Sequence, residues 1–218
     1  MKQEINLLAA LPQTKRNVTA RATAKSPENV AAARQFGQAY FDGSRDTGYG
    51  GYRYDGRWVP VAKDIVRHFG LKAGDRVLDV GCAKGFLVKD LMAVCPGLEA
   101  FGLDISDYAL KHCEPEVVGR LHLGSAVSLP FPDGSFAAVL SINTLHNLER
   151  PDLITALREI QRLSGGKAYV QVDSYTDEEG RRLFEDWVLT AKFHDYPDVW
   201  RGVFAEAGYT GDYYWTYV

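Results

Sequence analysis

The stretch 77–86, Val-Leu-Asp-Val-Gly-Cys-Ala-Lys-Gly-Phe, constrains the fold more than any other part of the sequence. Its apolar first residues suit a strand that is buried on both faces, as at the centre of a parallel sheet. Gly81 and Gly85 allow a sharp turn and a close approach of a ligand to the backbone, because a Cβ at either position would collide. The stretch therefore predicts a strand, a ligand-binding turn and a helix.

A second apolar run, residues 100–104, also ends in an acid. A carboxylate at this position, that of Asp104, can accept hydrogen bonds from both hydroxyls of a ribose. Nicotinamide dinucleotides and S-adenosylmethionine (SAM) both contain such a ribose, so Asp104 indicates an adenosine-type ligand without choosing between them. The alternative interpretation of Asp104 is an acid at a helix N-terminus, where the helix dipole favours negative charge.

Three later segments favour SAM. They are 124–126 (Gly-Ser-Ala), 129–136 (Leu-Pro-Phe-Pro-Asp-Gly-Ser-Phe) and 138–148 (Ala-Val-Leu-Ser-Ile-Asn-Thr-Leu-His-Asn-Leu). Together with the Asp-x-Gly-x-Ala-x-Gly spacing of 79–85, their order resembles the class I SAM-dependent methyltransferases, in particular the small-molecule, type 11-like group. The resemblance covers about residues 60–172.

This resemblance implies an α/β, Rossmann-like class I methyltransferase fold. The expected sheet is mostly parallel and seven-stranded, with helices on both faces. Residues 213–218 are aromatic and β-branched and are expected to form the last strand, which is antiparallel in this family, while 187–193 is expected to be extended. The chain is expected to divide into an N-terminal arm with a Gly/Tyr-rich lid, 1–58, and a SAM-dependent methyltransferase domain, 59–218.

The resemblance also implies which residues contact SAM. The expected cofactor-binding residues are Asp79, Gly81, Cys82, Ala83, Lys84, Gly85, Asp104, Ile105, Ser125, Ala126 and Asn143, joined by Tyr52 and Arg53 from the arm. Arg53 is included because a guanidinium, there or at Arg57, matches the carboxylate of SAM or of an acidic substrate. Two positions depart from the family pattern. Ala83 replaces a glycine, and Ser125 offers only a hydroxyl where an acid or amide commonly contacts the adenine.

The arm has an unusual composition. Residues 36–58 interleave aromatic side chains with glycines; the aromatics are Phe36, Tyr40, Phe41, Tyr49, Tyr52, Tyr54 and Trp58. A mobile lid that covers the substrate explains both residue types. A static loop that packs on the edge of the sheet explains the aromatics equally well. The basic residues before it, including Lys15 and Arg16, are expected to be solvated.

Methyl transfer from a sulfonium is an in-line displacement, so alignment of donor and acceptor supplies most of the catalysis. A hydroxyl acceptor also benefits from a base. His146 is the first candidate because it titrates near neutrality and follows the fourth strand; Asp173 and Tyr175 are lesser candidates. The alternative for His146 is a side chain that hydrogen-bonds the loop backbone. The sequence contains no cluster of carboxylates at the spacing of metal ligands, so no metal ion is expected.

Net charge, cysteine spacing and hydropathy argue against several classes of protein. A formal net charge of −3 argues against a nucleic-acid partner. The three cysteines, Cys82, Cys95 and Cys113, have no Cys-x-x-Cys spacing, which is typical of a reduced cytoplasmic protein. The apolar stretch 5–11 is too short to span a membrane, so no membrane partner is expected.

The sequence therefore predicts a SAM-dependent methyltransferase that modifies a small molecule. A hydroxyl acceptor is expected, with a sugar or another biosynthetic intermediate among the candidates. A non-catalytic SAM-binding sensor or partner subunit is the alternative, since a fold can persist without its chemistry. An NAD-dependent oxidoreductase ranks lower because Gly-x-Gly-x-x-Gly is absent. The acceptor, its methylated atom and the oligomeric state stay open.

Overall fold

The computed structural model describes residues 3–12 and 17–217. In this part of the chain six strands form one sheet in the order β3-β2-β1-β4-β5-β6, and every neighbouring pair is parallel. The strands are β1 (Arg76–Val80), β2 (Glu99–Asp104), β3 (Leu121–Leu123), β4 (Ala138–Ile142), β5 (Ala168–Ser174) and β6 (Asp212–Tyr217). The predicted α/β, Rossmann-like class is confirmed.

Helices connect the strands, and several begin at a capping side chain or a proline and end at a glycine. They are α1 (Val18–Ala24), α2 (Pro27–Arg34), α3 (Gln38–Phe41), α4 (Val59–Phe69), α5 (Phe86–Val94), α6 (Asp107–Lys111), α7 (Arg150–Ser164), α8 (Glu178–Trp187) and α9 (Pro197–Ala207), with 3₁₀ turns at Pro115–Val117 and Leu145–Asn147. Helix α7, for example, has Pro151 in its first turn and ends at Gly165, whose φ is 59°.

The core lies on both faces of the sheet. On one face, Leu157 of α7 and Phe204 of α9 pack against β4 and β5. On the other face, Ile65 of α4 and Leu91 of α5 pack against β1 and β2. The central strands are buried throughout, as their apolar sequences predicted. This three-layer arrangement leaves the carboxyl edge of the sheet for a site.

The predicted sheet is wrong in two details. It has six strands among the described residues, where seven were expected, and β6 is parallel to β5, where an antiparallel last strand was expected. Residues 188–196, which include most of the segment expected to be extended, join no strand. The physical reason is the connection: α8 and α9 form a long crossover from β5 to β6, and a crossover returns the chain in the same direction. Val218 lies outside the described residues.

The start of the chain lies along the free edge of β6. The Ile5 N–H donates to the Tyr213 carbonyl at 2.9 Å, and the Tyr213 N–H donates to the Gln3 carbonyl at 3.0 Å. Leu7 is 4% exposed and belongs to the same core cluster as α4 and α5. The first described residues are therefore part of the packed domain. Lys15 and Arg16, expected to be solvated, lie outside the described residues.

The arm then crosses the carboxyl edge of the sheet. Helices α2 and α3 and the following loop reach this edge, and several of their side chains line a cavity there. The division into an arm (1–58) and a domain (59–218) stays a prediction. None of the helices in the described part of the chain combines the length and the apolar character needed to cross a membrane.

Candidate active site

A cavity of about 640 Å³ lies at the carboxyl ends of β1, β2 and β4. The chain reverses its strand order between β1 and β4, and open α/β sheets bind ligands at such a switch point. Ten of the thirteen predicted cofactor-binding residues line the cavity: Tyr52, Asp79, Gly81, Cys82, Ala83, Asp104, Ile105, Ser125, Ala126 and Asn143. Their roles in binding stay predictions, but the sequence motifs do converge on one cavity.

The turn after β1 needs its first glycine. Gly81 has a φ of 87°, a conformation that side chains disfavour. A Cβ at Gly81 would lie 2.0 Å from the Thr144 hydroxyl oxygen, which belongs to the segment after β4. Gly81 therefore allows the loops after β1 and β4 to approach each other at the floor of the cavity.

The Asp104 carboxylate is held by the backbone. Its Oδ2 accepts a hydrogen bond from the Ala83 N–H at 2.8 Å, and its Oδ1 accepts one from the Ser106 N–H at 2.8 Å. Ala83, which replaces the family glycine, has a φ of 49° and still presents its N–H to Asp104. The Ile105 N–H also contributes, and a carboxylate has about four lone-pair sites, so the group can still accept a hydrogen bond from a ribose hydroxyl.

Two buried acids give this end of the cavity an affinity for positive charge. Burial raises the pKa of Asp79 to about 7, and the nearby charge of Asp104 adds to the shift. Burial also raises the pKa of Asp104. A cationic ligand would stabilise both carboxylates in their charged form. The residues present therefore fit the sulfonium, the ammonium group and the ribose of SAM, whose carboxylate needs a cation elsewhere in the cavity.

Gly85 and Lys84 do not line the cavity, contrary to expectation. A Cβ at Gly85 would lie 2.9 Å from Val117 and 3.0 Å from Leu121. Gly85 therefore permits close packing of the turn against β3. Lys84 forms an ion pair instead, with its ammonium 2.7 and 2.9 Å from the two carboxylate oxygens of Asp42.

Asp42 belongs to the arm, so this ion pair ties the arm to the glycine turn. Asp42 also accepts hydrogen bonds from the Tyr108 hydroxyl at 2.8 Å and from the Tyr52 N–H at 3.2 Å. Burial by itself would raise the pKa of Asp42, but the contacts with Lys84 and Tyr108 outweigh it and hold this pKa below its usual value. We call Asp42, Lys84 and Tyr108 the clasp.

The aromatic residues of the arm form one wall of the cavity. Tyr40 and Tyr49 meet edge to face with ring centroids 5.1 Å apart. Tyr52 stacks on Phe86, the first residue of α5, with centroids 4.7 Å apart. Burial raises the pKa of Tyr40 and Tyr52, so both phenols are neutral at physiological pH. This wall offers ring faces and neutral hydroxyls to a ligand.

The sequence motifs gave no indication that two cationic side chains belong to the cavity wall. Arg34, the last residue of α2, and Lys192 both line the cavity. The Arg34 guanidinium donates to the Ala191 carbonyl at 3.4 Å, which places it beside Lys192. The segment that carries Lys192 contains no motif, and α2 lies far from it in sequence, so only the fold brings the two together.

His146 does not line the cavity. Its Nδ1 accepts a hydrogen bond from the Asp173 N–H at 3.4 Å, and its carbonyl accepts from the N–H groups of Lys192 and Phe193. These contacts match the alternative interpretation, in which His146 hydrogen-bonds the backbone of nearby segments. Its role as a catalytic base stays a prediction that this placement does not favour.

The other predicted catalytic residues also lie outside the cavity lining. Asp173 is at the carboxyl end of β5, and Tyr175 follows it. The Tyr175 hydroxyl is 3.2 Å from Nδ1 of His194, and burial raises the pKa of Tyr175 to about 12. Arg53 does not line the cavity either, and Arg57 pairs with Asp55. The structure therefore separates the predicted catalytic residues from the predicted cofactor site.

Comparison with known proteins supports the family expected from the motifs. Residues 78–170 match a family model described as a methyltransferase domain. The demethylmenaquinone methyltransferase of Geobacillus kaustophilus is 37% identical over 115 residues, which is 50% of this chain and 48% of the relative. That of Anoxybacillus flavithermus is 37% identical over 120 residues, 51% of this chain and 50% of the relative. The chain thus spans about half the length of the curated relatives it matches.

Solved structures support the fold. A methyltransferase from Bacillus halodurans aligns with a TM-score of 0.55 and 19% identity, covering 67% of this chain and 68% of the other. Phosphoethanolamine N-methyltransferase 2 of Haemonchus contortus, in complex with phosphomonomethylethanolamine and S-adenosylhomocysteine, aligns with a TM-score of 0.59 and 19% identity, covering 81% of this chain and 44% of the other. At this identity the alignments establish a shared fold alone.

Proposed function

We propose that this chain, whose residues 78–170 match a family model described as a methyltransferase domain, transfers a methyl group from SAM to an acidic hydroxyl of a small aromatic molecule. The observation that carries the proposal is the cavity at the β1–β4 switch point, which combines buried acids with an aromatic wall. Its volume of about 640 Å³ is within the range of sites that hold a ligand of cofactor size.

The cofactor end of the cavity supports SAM as the donor. Asp104 would accept the ribose hydroxyls, and Asp79 would face the positive charge. Ile105 is 62% exposed and lines the cavity, so it offers apolar surface to the adenine. When bound, SAM supplies an electrophilic methyl group on a sulfonium, and the protein's task is to align that group with the acceptor.

The chemistry of the wall favours an acidic acceptor. Among the described residues that line the cavity there is no histidine and no glutamate; its acids are Asp79 and Asp104. These two acids are assigned to the donor, and the neutral phenols of the arm are poor bases. A sugar hydroxyl would lack the base it needs. A phenolic or enolic hydroxyl is far more acidic than a sugar hydroxyl, with a pKa of about 10 for a simple phenol, so it depends less on a protein base. An aromatic acceptor also agrees with the names of the curated relatives.

Binding is the first test. Calorimetry should detect binding of SAM and of its demethylated product, S-adenosylhomocysteine, to the parent protein. Asp104→Ala should weaken both by about tenfold or more, since a charge-assisted hydrogen bond contributes about 1.5–3 kcal/mol. Asp107→Ala, which removes an exposed acid outside the cavity, serves as the control. Absence of binding to the parent, or equal binding by Asp104→Ala, would contradict the proposal.

Methyl transfer is the second test. The protein is incubated with methyl-labelled SAM and separate pools of phenols, enols and sugars, and products are identified by mass spectrometry. Labelled phenol or enol ethers are expected. Label in the sugar pool would refute the acidic acceptor, and binding of SAM without transfer to any pool would favour the non-catalytic alternative.

A further inference from the structure

The acidic and the basic side chains lie in different parts of the cavity wall. The two acids are buried, with Asp79 5% and Asp104 9% exposed. The two cations, Arg34 and Lys192, are on exposed parts of the wall. A cationic donor suits the buried acids, and an anion suits the exposed cations. The part of the cavity left for an acceptor is therefore the cationic part.

Arg34 is available to bind an anion. Its Nη2 donates to the Ala191 carbonyl at 3.4 Å, a long contact with a neutral group. No carboxylate among the described residues lies within 4.0 Å of this guanidinium. A guanidinium carries five N–H donors in a planar fork, so most of its donors are left for a carboxylate.

Lys192 adds a second positive charge at the same place. Its ammonium is 3.9 Å from the Glu149 carboxylate, and both side chains are exposed, so this ion pair contributes little. The Lys192 N–H is fixed by the carbonyl of His146 at 2.9 Å, which holds the backbone of Lys192 in place. The exposed side chain of Lys192 is therefore anchored at the cavity wall, and its ammonium can reach a ligand anion there.

Aromatic surface lies next to these cations. The Tyr40 hydroxyl interacts with Thr190, which precedes Lys192 by two residues and also lines the cavity. Tyr40 and Tyr49 contact each other edge to face, leaving ring surface along the wall. A flat ligand that reaches the cations would pass along these rings.

We propose that the acceptor is a small aromatic acid, whose carboxylate is bound by Arg34 and Lys192 and whose ring packs against Tyr40 and Tyr49. This inference rests on the proposed function, because it specifies the acceptor of the same cavity. The carboxylate of the cofactor is the competing anion for the same two cations, and the affinity of the variants for S-adenosylhomocysteine separates the two assignments.

The test compares pairs of probes that differ only in charge. The full-length protein is saturated with S-adenosylhomocysteine and titrated by calorimetry with para- and meta-hydroxybenzoate and with the corresponding hydroxybenzamides. At least one acid should bind about tenfold more tightly than its amide, and its affinity should fall as salt is raised. Arg34→Gln and Lys192→Gln should each remove most of this preference while leaving the affinity for S-adenosylhomocysteine unchanged.

The matched control is Arg158→Gln, the same charge change at an exposed residue that does not line the cavity. It should keep the preference for the acid. The inference is overturned if neither acid binds, if acid and amide bind equally, if the preference survives both cavity substitutions, or if either substitution weakens binding of S-adenosylhomocysteine, which would assign the cations to the cofactor carboxylate. A protein that fails to bind S-adenosylhomocysteine would instead refute the proposed function, so the two failures are distinguishable.

Discussion

Asp79 destabilises the free protein at neutral pH because its pKa is raised to about 7 in the folded state. The folded state then binds a proton that the unfolded state has already lost, so stability falls as pH rises from the ordinary value of 3.8 through 7. Asp79→Asn should therefore be more stable than the parent at pH 8 by an amount on the order of 1 kcal/mol or more, with little difference at about pH 4. Melting temperatures measured between about pH 4 and pH 8 test this.

The same substitution should weaken SAM binding, because it removes a charge that faces the cationic ligand. Asp186→Asn, at an exposed acid, is the control and should change neither quantity. A pH dependence of stability that is identical in the parent and in Asp79→Asn would contradict the raised pKa.

His146 is expected to support structure and not to act as the base. Because the side chain is 5% exposed and does not line the cavity, His146→Gln should change turnover by about threefold at most and leave its pH profile unaltered. The melting temperature should fall, since the contact with the Asp173 N–H is disturbed. A loss of turnover of about a hundredfold in a variant that is still folded would restore His146 as the base.

At the residue scale, most residues of the predicted cofactor site line one cavity, whereas two residues of the glycine turn do not. Asp79, Gly81 and Asp104 were predictable because their motif ties residue type to a backbone function. Gly85 and Lys84 were assigned to the ligand with them, and the structure turns both away. Their partners, Leu121 and Asp42, are distant in sequence and are found only once the fold is known.

At the scale of elements, the clasp should control access to the cavity. Lys84→Met removes the partner of Asp42, so the loop between α3 and α4 should be cleaved faster by trypsin at Arg45 and Arg53. SAM should slow cleavage in the parent if the loop is a lid. Lys111→Met, which removes an exposed lysine, is the control. Cleavage rates are followed by mass spectrometry, with circular dichroism to verify that each variant is folded.

Equal cleavage of the parent and Lys84→Met would mean that the aromatic contacts, and not the clasp, hold the loop. Equal cleavage with and without SAM would favour the static interpretation of residues 36–58. The contacts of the arm are compatible with either outcome, because buried aromatic packing can accompany a lid in its closed position.

The last strand shows what the sequence predicts at the scale of elements. Residues of β6 alternate in burial and were predicted to form a strand from their aromatic and β-branched side chains. Its direction was not predictable from those residues. Direction follows from the connection: α8, α9 and residues 188–196, which join no strand, form the crossover between β5 and β6.

At the scale of the whole molecule, the N-terminal segment should contribute to stability. Leu7 is 4% exposed and packs with α4 and α5, so Leu7→Ala should lower the free energy of unfolding by about 2–4 kcal/mol. Leu183→Ala, at a residue that is 38% exposed, should change it by less than about 0.5 kcal/mol. Urea denaturation measures both. A neutral Leu7→Ala would mean that the contact of this side chain with α4 and α5 does not contribute to stability.

The difference in burial between the acids and the cations of the cavity predicts the order in which the two substrates bind. The acids assigned to the donor are the most buried part of the wall, and the cations assigned to the acceptor are exposed. An acceptor bound at the cations would stand in the path to the acids. The two substrates should therefore form the ternary complex in a compulsory order, with SAM entering first and S-adenosylhomocysteine leaving last. Acceptor bound to the free protein would be a dead end, so high acceptor concentrations should inhibit turnover and raising SAM should relieve that inhibition, whereas a random order would give no such inhibition.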